Sequence, residues 1–164
     1  MNLVYLSLGS NTGDSMAILD AAVSDLGGIL SQLRSSMRYR TKARYVLDQS
    51  DFINLAVSGF TSLAPDALLQ AIHAIEAKHG RNRLLERLKG PRSLDIDIIL
   101  YGDMVVDTPQ LCIPHPALAE RAFVLAPLLD LDAQLLHPVS GQALSQLLEA
   151  LPDQGIYPID SARL

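Results

Sequence analysis

Residues 90–102 read Gly90-Pro91-Arg92-Ser93-Leu94-Asp95-Ile96-Asp97-Ile98-Ile99-Leu100-Tyr101-Gly102. The run from Leu94 to Leu100 is apolar, rich in isoleucine and bounded by Gly-Pro and Gly, which predicts a buried strand. Because side chains alternate between the two faces of a strand, Asp95 and Asp97 are expected on one face, roughly 7 Å apart. The opposite, core-facing side is expected to carry Leu94, Ile96, Ile98 and Leu100.

The two aspartates require a compensating charge. Like charges on a half-buried strand repel each other and lose hydration, and a hard divalent cation relieves both penalties. Magnesium, held by a few carboxylates and by phosphate oxygens, fits this pattern. An exposed edge strand with an acidic face is the alternative, and the spacing alone leaves both open. Arg92 lies three residues before Asp95, which favours a phosphate site because such sites need cations as well as a metal. We therefore predict that this pair is the catalytic centre.

Composition restricts the class of protein. The chain has 164 residues, of which 49% are hydrophobic and 19% charged, so we expect one soluble domain over residues 1–164 with a core of its own. No apolar run is long enough to span a bilayer, and no signal peptide is visible. The single cysteine, Cys112, excludes an intramolecular disulfide, and these features favour the cytoplasm. The net charge of −5 argues against a nucleic-acid partner. A monomer with no membrane partner is expected.

The positive charges are concentrated. Of 13 lysines and arginines, five lie between Arg34 and Arg44 and six between Lys78 and Arg92. Solvated surface charge could explain any one of them. An acidic chain that gathers eleven cations in two short stretches is better explained by an anionic ligand.

The hydrophobic periodicity predicts six main elements in the order β-α-β-β-α-β. They are a strand over residues 3–8, a helix over 14–26, strands over 33–44 and 52–59, a helix from Pro65 to Gly80, and the aspartate strand. This order is typical of the ferredoxin-like α+β fold, with a mainly antiparallel sheet. We expect the helices to cover one face of the sheet and to leave the other face for ligands.

The rest of the chain carries weaker signals. Residues 81–89 lack apolar periodicity, which predicts a mobile loop. A hairpin is expected from the aspartate strand through Gly102 to residues 104–106. Prolines 114, 116, 127 and 138 punctuate a C-terminal extension of short helices, and Ser140 is expected to cap the last of them.

The stretch over 90–102 closely resembles the signature of the 6-hydroxymethyl-7,8-dihydropterin pyrophosphokinase family. Shorter matches in the family's order and spacing are Gly9-Ser10-Asn11, Tyr39-Arg40-Thr41, Asn54, Glu76, Gly80-Arg81-x-Arg83, Pro114-His115-Pro116 and Arg121-Ala122-Phe123. The resemblance covers nearly the whole chain. It implies an enzyme of folate biosynthesis that transfers the β,γ-diphosphate of ATP, with two Mg²⁺ ions, to the hydroxymethyl group of a reduced pterin and releases AMP.

The resemblance also implies roles for individual residues. Asp95 and Asp97 would hold both magnesium ions, and Arg81 and Arg92 would join them in catalysis. The residues implied as ATP contacts are His73, Glu76, Arg81, Arg83, Arg92, His115 and Arg121. Arginine suits this task because its fork donates two hydrogen bonds to one phosphate. His73 and Glu76 could instead be solvated helix residues. No residue stands out as a dedicated general base.

For the pterin, the resemblance implies a slot between two aromatic rings. Phe52 and Phe123 would stack on the ring, Asn54 would read its polar edge, and main-chain groups from Thr41 to Ala43 would complete the pocket. An aromatic residue on a strand is usually part of the core, so packing is the alternative role of Phe52.

Two segments depart from the family's pattern. The family commonly has Pro-Pro-Leu-Gly after Thr41, whereas this chain has Lys42-Ala43-Arg44-Tyr45, and Lys89 stands where a tryptophan is common. The loop over 81–89 is also slightly longer. The sequence therefore predicts diphosphate transfer from ATP and leaves the acceptor open. The alternatives are a paralogue that acts on a modified pterin and a non-catalytic ferredoxin-like module that binds a nucleotide or pterin.

Overall fold

The computed structural model describes residues 1–41, 51–80 and 93–159. The strands are β1 (Asn2–Ser10), β2 (Ser31–Ser35), β3 (Tyr39–Thr41), β4 (Phe52–Thr61), β5 (Asp95–Tyr101), β6 (Val106–Asp107), β7 (Cys112–Ile113) and β8 (Ile156–Pro158). The helices are α1 (Ser15–Leu26), α2 (Pro65–Lys78), α3 (Ala122–Leu131) and α4 (Leu144–Glu149), with a 3₁₀ helix at Leu118–Glu120. Within the described ranges, no helix is both long and apolar enough to cross a membrane.

The main sheet is antiparallel, with strand order β5-β1-β4-β3-β8, and β2 also pairs with β4. The order β1-α1-β2/β3-β4-α2-β5 confirms the predicted ferredoxin-like α+β arrangement. The single strand predicted over 33–44 is two strands, because residues 36–38 interrupt the pairing with β4. At this break Ser36 exchanges two hydrogen bonds with the Ala56 backbone: its Oγ accepts from Ala56 N–H and its N–H donates to Ala56 C=O.

Helices α1 and α2 cover one face of the sheet, as their apolar stripes predict. Leu19 and Leu26 of α1 and Leu68 and Ile72 of α2 are fully buried in this first core cluster. Helix α1 begins as predicted, because the Asp14 side chain accepts a hydrogen bond from the Ala17 N–H. Pro65 opens α2, where its missing N–H costs nothing.

A polar contact joins the C-terminal ends of these two helices. The carboxylate of Asp25 on α1 accepts hydrogen bonds from Lys78 Nζ and His79 Nε2, each at 2.9 Å. These two bonds lower the pKa of Asp25 below its ordinary value. The contact therefore links α1 to the point where α2 ends.

The expectation that helices cover only one face is wrong. Helices α3 and α4 pack on the other face, where Leu125 and Leu144 join Tyr5, Ala56 and Ile99 in a second core cluster. The helical extension after β5 returns to the sheet because its own apolar side chains need burial. Part of this second face is thereby covered, and the rest carries the aspartates.

The predicted position of Leu100 is also wrong. Leu94, Ile96 and Ile98 lie in the first cluster as expected, but Leu100 lies in the second. Ile98 is paired with Leu6 and Leu100 with Tyr5, so Ile99 has no opposite residue on β1. This bulge shifts the alternation by one residue and turns Leu100 to the other face.

Several predictions for the C-terminal half need correction. Residues 104–106 do not form a hairpin with the aspartate strand, because β6 pairs with β7. Pro127 lies inside α3 rather than at a boundary. Ser140 does not cap α4, because the N-cap of this helix is Ala143. The Ser140 Oγ instead accepts a hydrogen bond from the Gln142 N–H within the preceding turn. Strand β8, which pairs with β3, was not predicted at all.

The side chain of Tyr39 connects β3 to α3. Its hydroxyl donates a 2.8 Å hydrogen bond to Asp130 Oδ2. Burial and the neighbouring carboxylate raise the pKa of Tyr39, so this hydroxyl stays protonated and remains a donor. The contact holds α3 against β3, the strand with which β8 pairs.

Candidate active site

Strand β5 presents the two aspartates on the second face of the sheet. Asp97 is paired with Ser7, and Asp95 with Gly9. Ser7 is in turn paired with Ala56, which belongs to the second core cluster. Both carboxylates are partly exposed, Asp97 with 35% of its side chain accessible. The predicted geometry of the pair, two carboxylates on one face with Ile96 buried between them on the other, is confirmed.

This donor set fits a magnesium ion that is shared with a ligand. Two carboxylates offer the hard oxygen ligands that magnesium prefers. Among the described residues, no group of three or more histidine, cysteine, aspartate or glutamate side chains could hold a metal by itself. The remaining ligands would therefore come from water or from a substrate such as a phosphate.

Glu76 holds the aspartate strand at the outer edge of the sheet. It is only 1% exposed, and its Oε2 accepts a 2.9 Å hydrogen bond from the backbone N–H of Ile96. Ile96 lies between the two aspartates, and β5 is the terminal strand of the sheet. The alternative that Glu76 is a solvated helix residue is wrong. His73, one turn earlier on α2, is partly exposed.

His115 faces the aspartates from the segment that follows β7. Its backbone N–H donates to Ile99 C=O, which holds it against β5. Its Nε2 lies 3.9 Å from Asp97 Oδ2, and its Nδ1 accepts from the Ala117 N–H at 3.1 Å. Because Nδ1 is an acceptor, the ring proton of the neutral form is on Nε2, toward the carboxylate.

The charge state of His115 reflects this environment. Burial and the positive charge of Arg121 lower the pKa of His115, while Asp95 opposes them. The ring is therefore neutral at pH 7, and its Nε2–H is a donor that can serve an anionic ligand beside the carboxylates.

Arg121 and Phe123 lie together at the start of α3. Arg121 is the N-cap residue of this helix, and its guanidinium carbon is 5.7 Å from the centroid of the Phe123 ring. This distance is typical of a cation–π contact. Phe123 is partly buried against the second core cluster. The structure thus joins a predicted phosphate contact to a predicted stacking residue.

Three of the residues predicted to contact a pterin lie across β1 from Asp95. The side-chain amide of Asn54 donates from Nδ2 to Thr41 Oγ1 at 3.1 Å, and both residues are buried, at 4% and 3% exposure. Thr41 is paired with Phe52, which is partly exposed. Asn54, Thr41 and Phe52 are therefore neighbours.

Gly9 is a residue of this site that lies just beyond the strand predicted over residues 3–8. It lies inside β1, paired with Asp95 on one side and Asn54 on the other. A Cβ atom at Gly9 would be 2.7 Å from Asn54 Oδ1, closer than any real contact. A glycine inside a strand is the signal that could have revealed it, because such positions mark a close approach by another group.

Several predicted residues lie outside the described ranges. Ala43 and the altered segment Lys42–Tyr45 fall in residues 42–50. Arg81, Arg83 and Arg92, together with Lys89, fall in residues 81–92.

Comparison with known proteins gives consistent results. The family model for 7,8-dihydro-6-hydroxymethylpterin-pyrophosphokinase (HPPK) matches residues 5–133. The chain is 40% identical over 147 residues to the 2-amino-4-hydroxy-6-hydroxymethyldihydropteridine pyrophosphokinase of Aquifex aeolicus, covering 89% of this chain and 90% of that protein. It is 40% identical over 162 residues to the enzyme of the same name from Pseudomonas aeruginosa, covering 97% and 98%.

Other similar proteins are much longer. The folic acid synthesis protein fol1 of Pneumocystis carinii is 41% identical over 157 residues, which are 95% of this chain but 21% of that protein. The chain thus spans about a fifth of this relative and of its Schizosaccharomyces pombe counterpart. Wild-type HPPK-DHPS of Plasmodium falciparum superposes with a TM-score of 0.73 at 17% identity, covering 90% of this chain and 44% of that one. At this identity, the likeness establishes the shared fold alone.

Proposed function

Since the chain belongs to the 7,8-dihydro-6-hydroxymethylpterin-pyrophosphokinase family, we propose that it transfers the β,γ-diphosphate of ATP to the hydroxymethyl group of 6-hydroxymethyl-7,8-dihydropterin and releases AMP. This places it in folate biosynthesis as an ATP-dependent diphosphotransferase. The observation that carries the proposal is the shared face of the sheet. Asp95 and Asp97 lie there beside the Nε2–H of His115, and Asn54 and Thr41 lie across β1 from Asp95.

We assign Asp95 and Asp97 as ligands of Mg²⁺, and we propose two ions. Bound magnesium would neutralise phosphate charge and align the reacting oxygens for in-line displacement. The two carboxylates are suited to this role because the strand alternation sets their separation and because they remain accessible from one side. Ile96, buried between them at 2% exposure, restricts their motion.

The cationic side of the site would hold the triphosphate. His115 offers a neutral N–H donor, and Arg121 offers a permanent charge. Arg81, Arg83 and Arg92, outside the described residues, are proposed to complete this set, with His73 and Glu76 as further nucleotide contacts. Arg81 and Arg92 are proposed to act in catalysis with the aspartates. Donors placed around the transferred group would lower the barrier by charge stabilisation and alignment, without a dedicated base.

The pterin would lie near Asn54. One N–H of the Asn54 amide is committed to Thr41, which sets the orientation of the side chain. The second N–H and the carbonyl oxygen are then directed as a unit and could read the edge of a heterocycle. Phe52 and Phe123 are proposed as the stacking surfaces, and the backbone from Thr41 to Ala43 is proposed to close the pocket.

Finer points belong to the same proposal. We propose that residues 1–164 act as one catalytic domain, because both core clusters lie on the two faces of one sheet. A monomer that works in the cytoplasm is proposed as well. Light scattering of the purified protein over a concentration series would test whether it is a monomer.

The decisive experiment is AMP release from Mg-ATP with and without 6-hydroxymethyl-7,8-dihydropterin. The proposal requires AMP formation that depends on the pterin and disappears in Asp97→Asn. If AMP forms only with a different hydroxylated pterin, the altered-acceptor alternative is correct. If the protein binds ATP and pterin without forming AMP, it is a binding module.

A further inference from the structure

The N-terminal end of α3 is held by a side chain from the C-terminal part of the chain. Gln154 Oε1 accepts a hydrogen bond from the backbone N–H of Ala122 at 2.9 Å. Gln154 Nε2 donates to the backbone C=O of Glu120, also at 2.9 Å. One amide group therefore connects the residues that flank Arg121 on either side.

These two backbone groups lie where two helical segments meet. The 3₁₀ helix ends at Glu120, and α3 begins at Ala122. Arg121 between them is extended, with φ −119° and ψ 103°, and its own side chain makes no capping hydrogen bond. The first N–H groups of a helix lack partners inside the helix. Gln154 supplies an acceptor for one of these groups, the Ala122 N–H, and thereby holds the extended joint in place.

Gln154 is itself held in place. Asp153 Oδ1 accepts from the Gly155 N–H at 2.8 Å, which closes a turn around Gln154, and Gly155 adopts a φ of 73° that suits glycine. The chain then continues into β8, where Ile156 is paired with Thr41. The clamp thus connects the Arg121 end of the site to its Thr41 end through a few residues.

We propose that Gln154 is a positioning residue for Arg121 and Phe123. It acts by holding the joint from which the Arg121 guanidinium reaches over the Phe123 ring. The inference rests on the proposed function, in which Arg121 contacts the nucleotide and Phe123 the pterin. Gln154 touches neither ligand.

The test uses Gln154→Met, which keeps the length of the side chain and removes both hydrogen bonds. Gln134→Met is the matched control, because Gln134 is exposed in the turn that follows the C-terminal end of α3. Amide hydrogen exchange should be about tenfold faster at Ala122 in Gln154→Met and unchanged in Gln134→Met. Unchanged exchange at Ala122 would overturn the clamp. Gln154→Ala repeats the measurement if methionine does not fit.

The functional readout is affinity, measured by calorimetry with magnesium and a non-hydrolysable ATP analogue, and then with 6-hydroxymethylpterin. Gln154→Met should weaken binding of both ligands about fivefold. In an Arg121→Ala background it should weaken nucleotide binding less than twofold, since the residue through which it acts is gone. A full fivefold effect in that background would refute the inference.

The same titrations distinguish failure of the Gln154 role from failure of the proposed function. If the wild type binds both ligands and Gln154→Met binds them equally well, the role of Gln154 is refuted and the proposed function stands. If the wild type binds neither ligand, the proposed function fails and the role of Gln154 fails with it.

Discussion

Replacing Glu76 tests whether the aspartate strand depends on a buried carboxylate. Glu76→Ala removes the acceptor for the Ile96 N–H, and both residues are almost fully buried, at 1% and 2% exposure. A buried donor without a partner costs about 1–3 kcal/mol, and one lost buried methylene adds about 0.8 kcal/mol. We therefore expect the free energy of unfolding to fall by about 2–4 kcal/mol.

Glu76→Gln is the informative comparison. It keeps the shape of the side chain and one acceptor oxygen but removes the charge. Because a hydrogen bond to a neutral group is weaker than one to a charged group, the expected loss is only about 1 kcal/mol. Glu149→Ala, at an exposed position of α4, should be close to neutral. Urea unfolding followed by circular dichroism measures all three.

Activity adds a second readout to the same variants. If β5 shifts when its anchor is lost, the aspartates move with it, and a displacement of about 1 Å can cost about 100-fold in rate. Glu76→Ala should then lose more than tenfold in kcat for AMP formation, and Glu76→Gln should recover most of it. The reasoning is refuted if Glu76→Ala unfolds at the wild-type urea concentration and shows only a raised KM for ATP, which would indicate direct nucleotide contact alone.

Three other predictions address the metal pair, the glycine of β1 and the helix-joining ion pair. Asp95→Ala or Asp97→Ala should nearly abolish AMP release with an unchanged circular dichroism spectrum, since either change removes one of the two protein carboxylates proposed to hold the metal; near-normal turnover would exclude the assignment. Gly9→Ala should displace the Asn54 amide and lower the free energy of unfolding by about 1–3 kcal/mol through overpacking. It should also weaken pterin binding measured by calorimetry, and wild-type affinity would argue against the placement of the pterin. The pKa of Asp25 is lowered in the folded protein, so its stabilising contribution is complete above about pH 4 and is lost as the pH falls through the folded-state pKa. Unfolding midpoints of Asp25→Asn and wild type should therefore differ at pH 7, and the difference should shrink as the pH falls below about 4; a constant difference would contradict this.

Much of the fold could be read from local patterns. The alternation around Asp95 and Asp97 set their common face, and the stripes of α1 and α2 set the helix faces that are buried. These predictions succeeded because the period of hydrophobic residues depends only on neighbours along the chain. Periodicity did not assign Asn54 to the pterin: that role was implied by the resemblance to the family and remains a proposal.

Other features depended on distant partners. The bulge at Ile99 arises from pairing with β1, and it turned Leu100 to the face that α3 covers. Strand β8 is three residues long and exists through its pairing with Tyr39–Thr41, more than a hundred residues earlier. Ser140 has the chemistry of a helix cap, but the turn in which it lies uses its hydroxyl before α4 begins.

The sequence by itself determined the βαββαβ order, the aspartate pair and the family, because these follow from periodicity and from a dense local motif. The tertiary structure alone decided which groups support the candidate site. Glu76 on α2, Gly9 on β1 and Gln154 near the C-terminus are each far along the chain from the groups that they hold or admit. Their roles rest on one or two hydrogen bonds or on one missing Cβ atom, and such contacts are set by the packing of separate elements. That packing leaves no periodic signal in the sequence.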